Sequence, residues 1–208
     1  MQQASFISTR ARAFMLVAAF CAFGHAKADI VTQYTGGNDF ATLLFAGQSF
    51  TTSPSGAFDH ITFNFFSDTA GGTTPTAAGT LYLLTQAYSG TPGALSSSTA
   101  GFFATSLGIV GGAYDFDDSI VLLANTQYFA YSNTQVMVSG SNTNAYAGGT
   151  AFVNSGGNYT LVDGDANFRV SGTQVVAVPT PGSFALSALA LACLLGSQVS
   201  RHRRTGLG

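Results

Sequence analysis

Residues 29–178 predict an all-β fold, an antiparallel β-sandwich of jelly-roll type, on three observations. Apolar residues fall in short runs with a period of two, the spacing of a half-buried strand. Clusters of Gly, Pro, Ser and Asn break these runs at short intervals. No stretch of the region combines a 3.6-residue period with capping residues. The 13 Phe of this region supply the apolar bulk that disordered chains lack.

In chain order, Leu43 to Phe50 is a first, weaker strand, closed by the turn signal Ser53-Pro54-Ser55-Gly56. Phe58 to Phe66 is the clearest: Ile61, Phe63 and Phe65 share one face, and His60, Thr62 and Asn64 the other. Turn residues Ala70 to Pro75 follow, then a strand at Leu81 to Thr85 and the break Thr91-Pro92-Gly93. Gly111-Gly112 marks another turn, before strands at Ile120–Leu123, Tyr128–Tyr131 and Val136–Val138. Ala151–Val153 and Tyr159–Val162 flank the Gly156-Gly157 turn, and Ala166–Val170 closes the series. Eight or nine short strands with glycine-rich connections suit two packed sheets.

The two ends have a different composition. Arg10 and Arg12 precede an apolar stretch, Ala13–Gly24, and the small residues Ala26-Lys27-Ala28. That order predicts a secretory signal peptide over residues 1–28, cut by signal peptidase before Asp29. At the other end Pro179 and Pro181 exclude a continuing strand or helix. Residues 184–200 are uncharged and mostly apolar, and predict a short membrane-spanning helix. Arg201, His202, Arg203 and Arg204 follow it, and such positive flanks stay cytoplasmic, so the β domain faces outward.

Charge is partitioned in the same way. Six of the seven Lys and Arg lie at the extremities, and residues 29–178 hold nine Asp against Arg169 alone, a net charge of about −8. A field of that sign repels nucleic-acid phosphates. Cys21 and Cys193 both lie in the end segments, so no disulfide is expected within the β domain. Enzyme chemistry is poorly supplied: the region has one His, no Cys, no Lys, no Glu and no Gly-x-Ser-x-Gly elbow.

The carboxyl-terminal arrangement resembles the PEP-CTERM sorting signal of Gram-negative surface proteins. Pro179-Thr180-Pro181 matches the proline pair, with Thr180 where the family usually has Glu, and Arg201, Arg203 and Arg204 match the basic end. The resemblance implies that residues 179–208 are a sorting segment read by an exosortase-like membrane enzyme, leaving the protein at the cell surface or secreted. Phe63-Asn64-Phe65, Leu81-Tyr82-Leu83 and Phe168-Arg169-Val170-Ser171-Gly172 also look like recurring strands of the sandwich domains such proteins carry.

Two acidic clusters are candidate calcium ligands. Asp163, Asp165 and Asn167 place oxygens at alternate positions, but Phe168 and Gln174 stand where a helix–loop–helix calcium site needs Gly and Glu. A tight turn feeding the last strand is the competing reading. Asp115 and Asp117 point one way if extended, and either a cation or solvent relieves them. Tyr88, Tyr114, Tyr131 and Tyr146 lie in or near polar or glycine-rich segments and are candidate sugar-stacking rings; the edge of a core, with the hydroxyl in water, is the commoner place for a tyrosine. The expectation is a non-catalytic exported surface or matrix protein with no obligatory cofactor. The alternative is a carbohydrate-binding module for extracellular polysaccharide, assisted by calcium.

Overall fold

A computed structural model describes residues 29–68, 74–154 and 156–175. The predicted signal segment, the predicted membrane helix and the sorting residues Pro179, Thr180, Pro181, Arg201, Arg203 and Arg204 lie outside them. Among the described residues no helix is long and apolar enough to cross a membrane.

The described chain is all-β and antiparallel. Its strands are β1 (Asp29–Tyr34), β2 (Phe40–Thr51), β3 (Phe58–Phe66), β4 (Pro75–Thr76), β5 (Leu81–Leu84), β6 (Phe102–Thr105), β7 (Gly108–Val110), β8 (Ala113–Asp115), β9 (Gln127–Ser132), β10 (Val136–Ser141), β11 (Ala151–Asn154), β12 (Thr160–Leu161), β13 (Asp165–Ala166) and β14 (Phe168–Gln174). A 3₁₀ turn at Pro92–Ala94 is the one helical element among the described residues. The smaller sheet runs β1-β14-β3-β8-β7, with β4 also on β3. The larger runs β12-β11-β2-β9-β5-β6, with β10 also on β2 and β13 on β10.

The sheets pack face to face because their longer strands turn apolar rows inward. Phe63 and Phe168 of the smaller sheet stack at 5.9 Å, and Phe50 of the larger sheet lies 6.0 and 6.2 Å from them. Ile61, Phe63 and Phe65 are fully buried, as their alternation predicts. Each such side chain contributes about 1.5–3 kcal/mol by leaving water. Phe58 is buried too, although it lies three positions, an odd number, from Ile61. The β3–β14 register shifts between Ser171 and Thr173 and leaves an extra β3 residue at His60, whose φ is 50°. This bulge turns His60 outward and returns Phe58 to the core. Gly172 must be small there, since a Cβ would lie 2.8 Å from Ile61 Cδ1.

The outer face of the larger sheet carries a second core. Leu84, Leu95, Tyr131, Phe152 and Tyr159 are buried together beneath the connection that follows β5. Tyr131 lies over Gly47, where a Cβ would come within 2.6 Å of its ring. Tyr131 Oη accepts the Tyr88 N–H at 2.9 Å, and Tyr159 Oη donates to the Ser132 carbonyl. Among the described residues every buried side-chain nitrogen and oxygen has a partner.

Several strand expectations need correction. Ile120–Leu123 forms no strand; Leu122 alone makes a bridge, to Phe58. Ala166–Val170 is two strands in two sheets, divided at Asn167. β1, β4, β6, β7 and β8 went unread in the sequence.

Candidate functional site

The segment Asp163–Asn167 sits where the two sheets meet. β13 pairs with β10, Gly140 opposite Ala166, and after Asn167 the chain joins the other sheet as β14. A strand crossing this seam is covered on both faces, so Gly164 through Phe168 are all buried. Asp165 is fully buried and accepts from Gln48 Nε2 at 3.2 Å and from the Tyr146 N–H at 2.7 Å. Gln48 Oε1 in turn accepts the Ala166 N–H at 2.9 Å. Asn167, also fully buried, accepts the Gly37 N–H at 2.9 Å, and its amide donates to the Gly37 carbonyl at 2.6 Å and to Ser139 Oγ at 2.8 Å. Asp163 alone faces solvent. The three candidate ligands therefore do not converge; Asp165 braces β13 against β2 within the larger sheet, and Asn167 ties the seam.

The other acidic pair is separated by a core residue. Asp115 ends β8 half-buried, Phe116 enters the core, and Asp117 is exposed. Asp117 Oδ1 accepts from Ser119 Oγ at 2.5 Å and from the Ser119 N–H at 2.9 Å, and these bonds hold its pKa below the usual value. Among the described residues no group of three or more His, Cys, Asp or Glu side chains is placed to hold a metal ion.

The four candidate tyrosines divide between the two cores. Tyr114 is fully buried, and its hydroxyl donates to the Ala78 carbonyl at 2.8 Å; burial pushes its pKa up to about 12. Tyr131 is fully buried in the second core, and burial raises its pKa as well. Tyr88 and Tyr146 are half-buried: Tyr88 Oη donates to the Thr91 carbonyl at 2.8 Å, and the Tyr146 ring meets Phe168 edge-on at 5.3 Å. The four rings do not form one stacking surface.

A cleft lies beside the seam, along the first half of β2. β10 pairs with one edge of Phe40–Leu44, and on the opposite edge β11 begins pairing only at Phe45. The unfilled edge opens into a hollow of about 220 Å³ lined by Phe40, Leu44, Val153 and Val162 on its apolar side and by Ser141, Asn142 and Asp163 on its polar side. A second hollow of about 440 Å³ adjoins it, shares Thr42, Leu44 and Val153, and extends to Gln135 and Asn154. Together they match the size range and mixed lining of small-ligand sites. Asp39 braces the polar rim by accepting the Asn142 N–H at 2.8 Å.

No protein-family model matches this chain, and no curated protein matches it.

The bulged His60 makes the one charged cluster of mixed sign on the smaller sheet's outer side apart from Arg169, among the described residues. Its Nδ1 is 2.8 Å from Asp59 Oδ1 and its Nε2 is 3.7 Å from Asp118 Oδ2. The hydrogen bond to Asp59, then the charge of Asp118, raises the His60 pKa above 6.5. Both ring nitrogens thus face carboxylates, with no hydroxyl nucleophile bonded to either among the described residues. Arg169 is committed to the Phe66 ring at 5.5 Å and to Gln33 Oε1 at 3.0 Å. The arrangement holds charge and hydrogen-bonds polar groups.

Sequence reading found Asp163 and missed the rest of the cleft. Thr42, Leu44 and Val153 look like ordinary strand residues, and only three-dimensional pairing leaves their edge open.

Proposed function

We propose that this chain is a non-catalytic exported protein of the cell surface or extracellular matrix, built on a jelly-roll-like sandwich. Signal peptidase removes residues 1–28, and an exosortase-like enzyme acts near Pro179-Thr180-Pro181. The observation that carries this reading is the partition of the sequence: apolar segments and six of seven basic residues at the extremities, an acidic cysteine-free domain between them. Intact-mass measurement of the native protein from its producing cell tests it. A mature chain beginning at residue 29 and ending near residue 179 is the expected result, and an uncut chain in the cytosol refutes it.

A second reading, capture of extracellular polysaccharide, is favoured by the β2 cleft. An apolar floor beside Asp163 and Asn142 suits a sugar, whose apolar face packs while its hydroxyls bond carboxylate and amide. Isothermal titration against matrix polysaccharide, with and without calcium, tests this. Binding that Asp163→Ala weakens by about tenfold, roughly 1.4 kcal/mol, supports it; binding unchanged by Asp163→Ala and by Val153→Trp refutes it.

A further inference from the structure

β7 ends the smaller sheet, and its outer edge is unpaired among the described residues. Its turn settles which backbone groups point outward. Gly111 and Gly112 have φ of 59° and 80°, the signs of a two-residue type I′ hairpin. In such a hairpin the residues flanking the turn, Val110 and Ala113, exchange backbone hydrogen bonds, and bonded pairs then alternate. Ile109, opposite Tyr114, is therefore in the non-bonded position on β8 and directs its N–H and C=O to the free edge.

The edge lacks two of the usual protections against pairing. Leu107 through Gly112 contain no charge and no proline, the usual protections of an edge strand. Leu107, Ile109 and Val110 are 70%, 44% and 66% exposed.

We propose that this edge binds β7 of a second copy of the chain, antiparallel, about a two-fold axis at Ile109. A two-fold pairing that continues the sheet must keep side-chain faces matched, so it centres on a residue. Centred on Ile109, it sets Ile109 against its own counterpart and Val110 against Gly108 of the second copy across the three residues of β7. Each Val110 then meets a glycine, and the three-residue strip is complementary to itself.

Charge favours the same contact. With nine Asp against one Arg between residues 29 and 178, two copies repel over most orientations. Here the nearest carboxylates in the sheet are the two Asp115, one strand inward on each side. Three strand spacings separate them, about 14 Å, beyond the ~8 Å screening length at physiological salt.

The contact area sets its strength. So short a strip falls below the ~800 Å² per partner of a stable dimer, so the contact forms at high local concentration and dissociates on dilution. This inference stands on the fold and holds whether or not the chain is exported.

Single-cysteine crosslinking in the full-length protein, in detergent and with Cys21 and Cys193 changed to Ser, tests it. In a bonded antiparallel pair the Cα atoms are about 5.5 Å apart, within disulfide reach. Ile109→Cys is expected to oxidise to a homodimer about tenfold faster than Met137→Cys, a comparably exposed position on β10, because only the former is held near its counterpart. Both variants carry the same termini, so association through the termini raises both rates alike. Adding Val110→Lys to Ile109→Cys should remove the advantage while the thermal midpoint holds. Equal rates at 109 and 137, or an advantage that survives Val110→Lys, overturn the proposal.

Discussion

Replacing Asn167 with alanine removes three hydrogen bonds at the seam and leaves their partners buried. The Gly37 N–H and C=O and the Ser139 hydroxyl each lose a partner at 2.6–2.9 Å. Ser139 Oγ retains its bond to the Phe66 carbonyl at 3.0 Å, so the main loss falls on the two Gly37 backbone groups. A buried group left unsatisfied costs about 1–3 kcal/mol, so the pair costs about 2–6 kcal/mol. A side chain cannot rescue position 37, because any Cβ there collides with the backbone of Gly140 and Ser141. At about 2–4 °C per kcal/mol for a domain of this size, the thermal midpoint falls by roughly 10 °C. Urea unfolding followed by circular dichroism measures the change, with Asp163→Asn beside it as the solvent-facing neighbour, expected within about 0.5 kcal/mol of wild type. A loss below about 1 kcal/mol for Asn167→Ala, or equal losses for the two variants, would refute the assignment of Asn167 to the seam.

Gly111→Val should destabilise by about 1–2 kcal/mol and Gly111→Asn by much less, because only the latter tolerates the positive φ of the hairpin; chemical denaturation distinguishes them. Stability contributed by the His60 cluster is complete below pH 6.5 and is lost as pH rises through the elevated folded value. Asp118→Asn should therefore move the His60 titration toward lower pH, read from its ring proton shifts. Tyr114, Tyr131 and Tyr159, whose pKa values burial raises, should remain protonated at pH 11 in a spectrophotometric titration. Their delayed ionisation means that stability holds below pH 10 and declines above it, with the phenols ionising together as the fold opens.

Alternation was readable where one face of a strand is buried and the other is wet. Phe58–Phe66 satisfies this, and the Gly111-Gly112 turn was legible because only glycine accepts its dihedrals cheaply. Asn167 obeys neither condition. At the seam both faces are buried, and Asp165 and Asn167 then look like exposed polar ligands when they are interior ties. Ile120–Leu123 failed for the opposite reason: its run is apolar, yet Val121 and Leu123 are 36% and 59% exposed and only Leu122 is fully buried, with Ile120 packed against the core beside it. Tyr131 and Tyr159 were illegible as interior residues because their hydroxyls find partners, Tyr88 and Ser132, far away in sequence. The cleft followed from where β11 starts pairing, which no local pattern encodes.

The seam also fixes a polarity for the whole β domain. Asp29 lies opposite Gly172, so entering and departing segments share one pole. Seven residues of β14, about 23 Å of strand, separate the departure point from Asn167 and the mouth of the cleft beside it. The mouth of the cleft therefore lies at the pole opposite Asp29 and Gln174, one strand length from both.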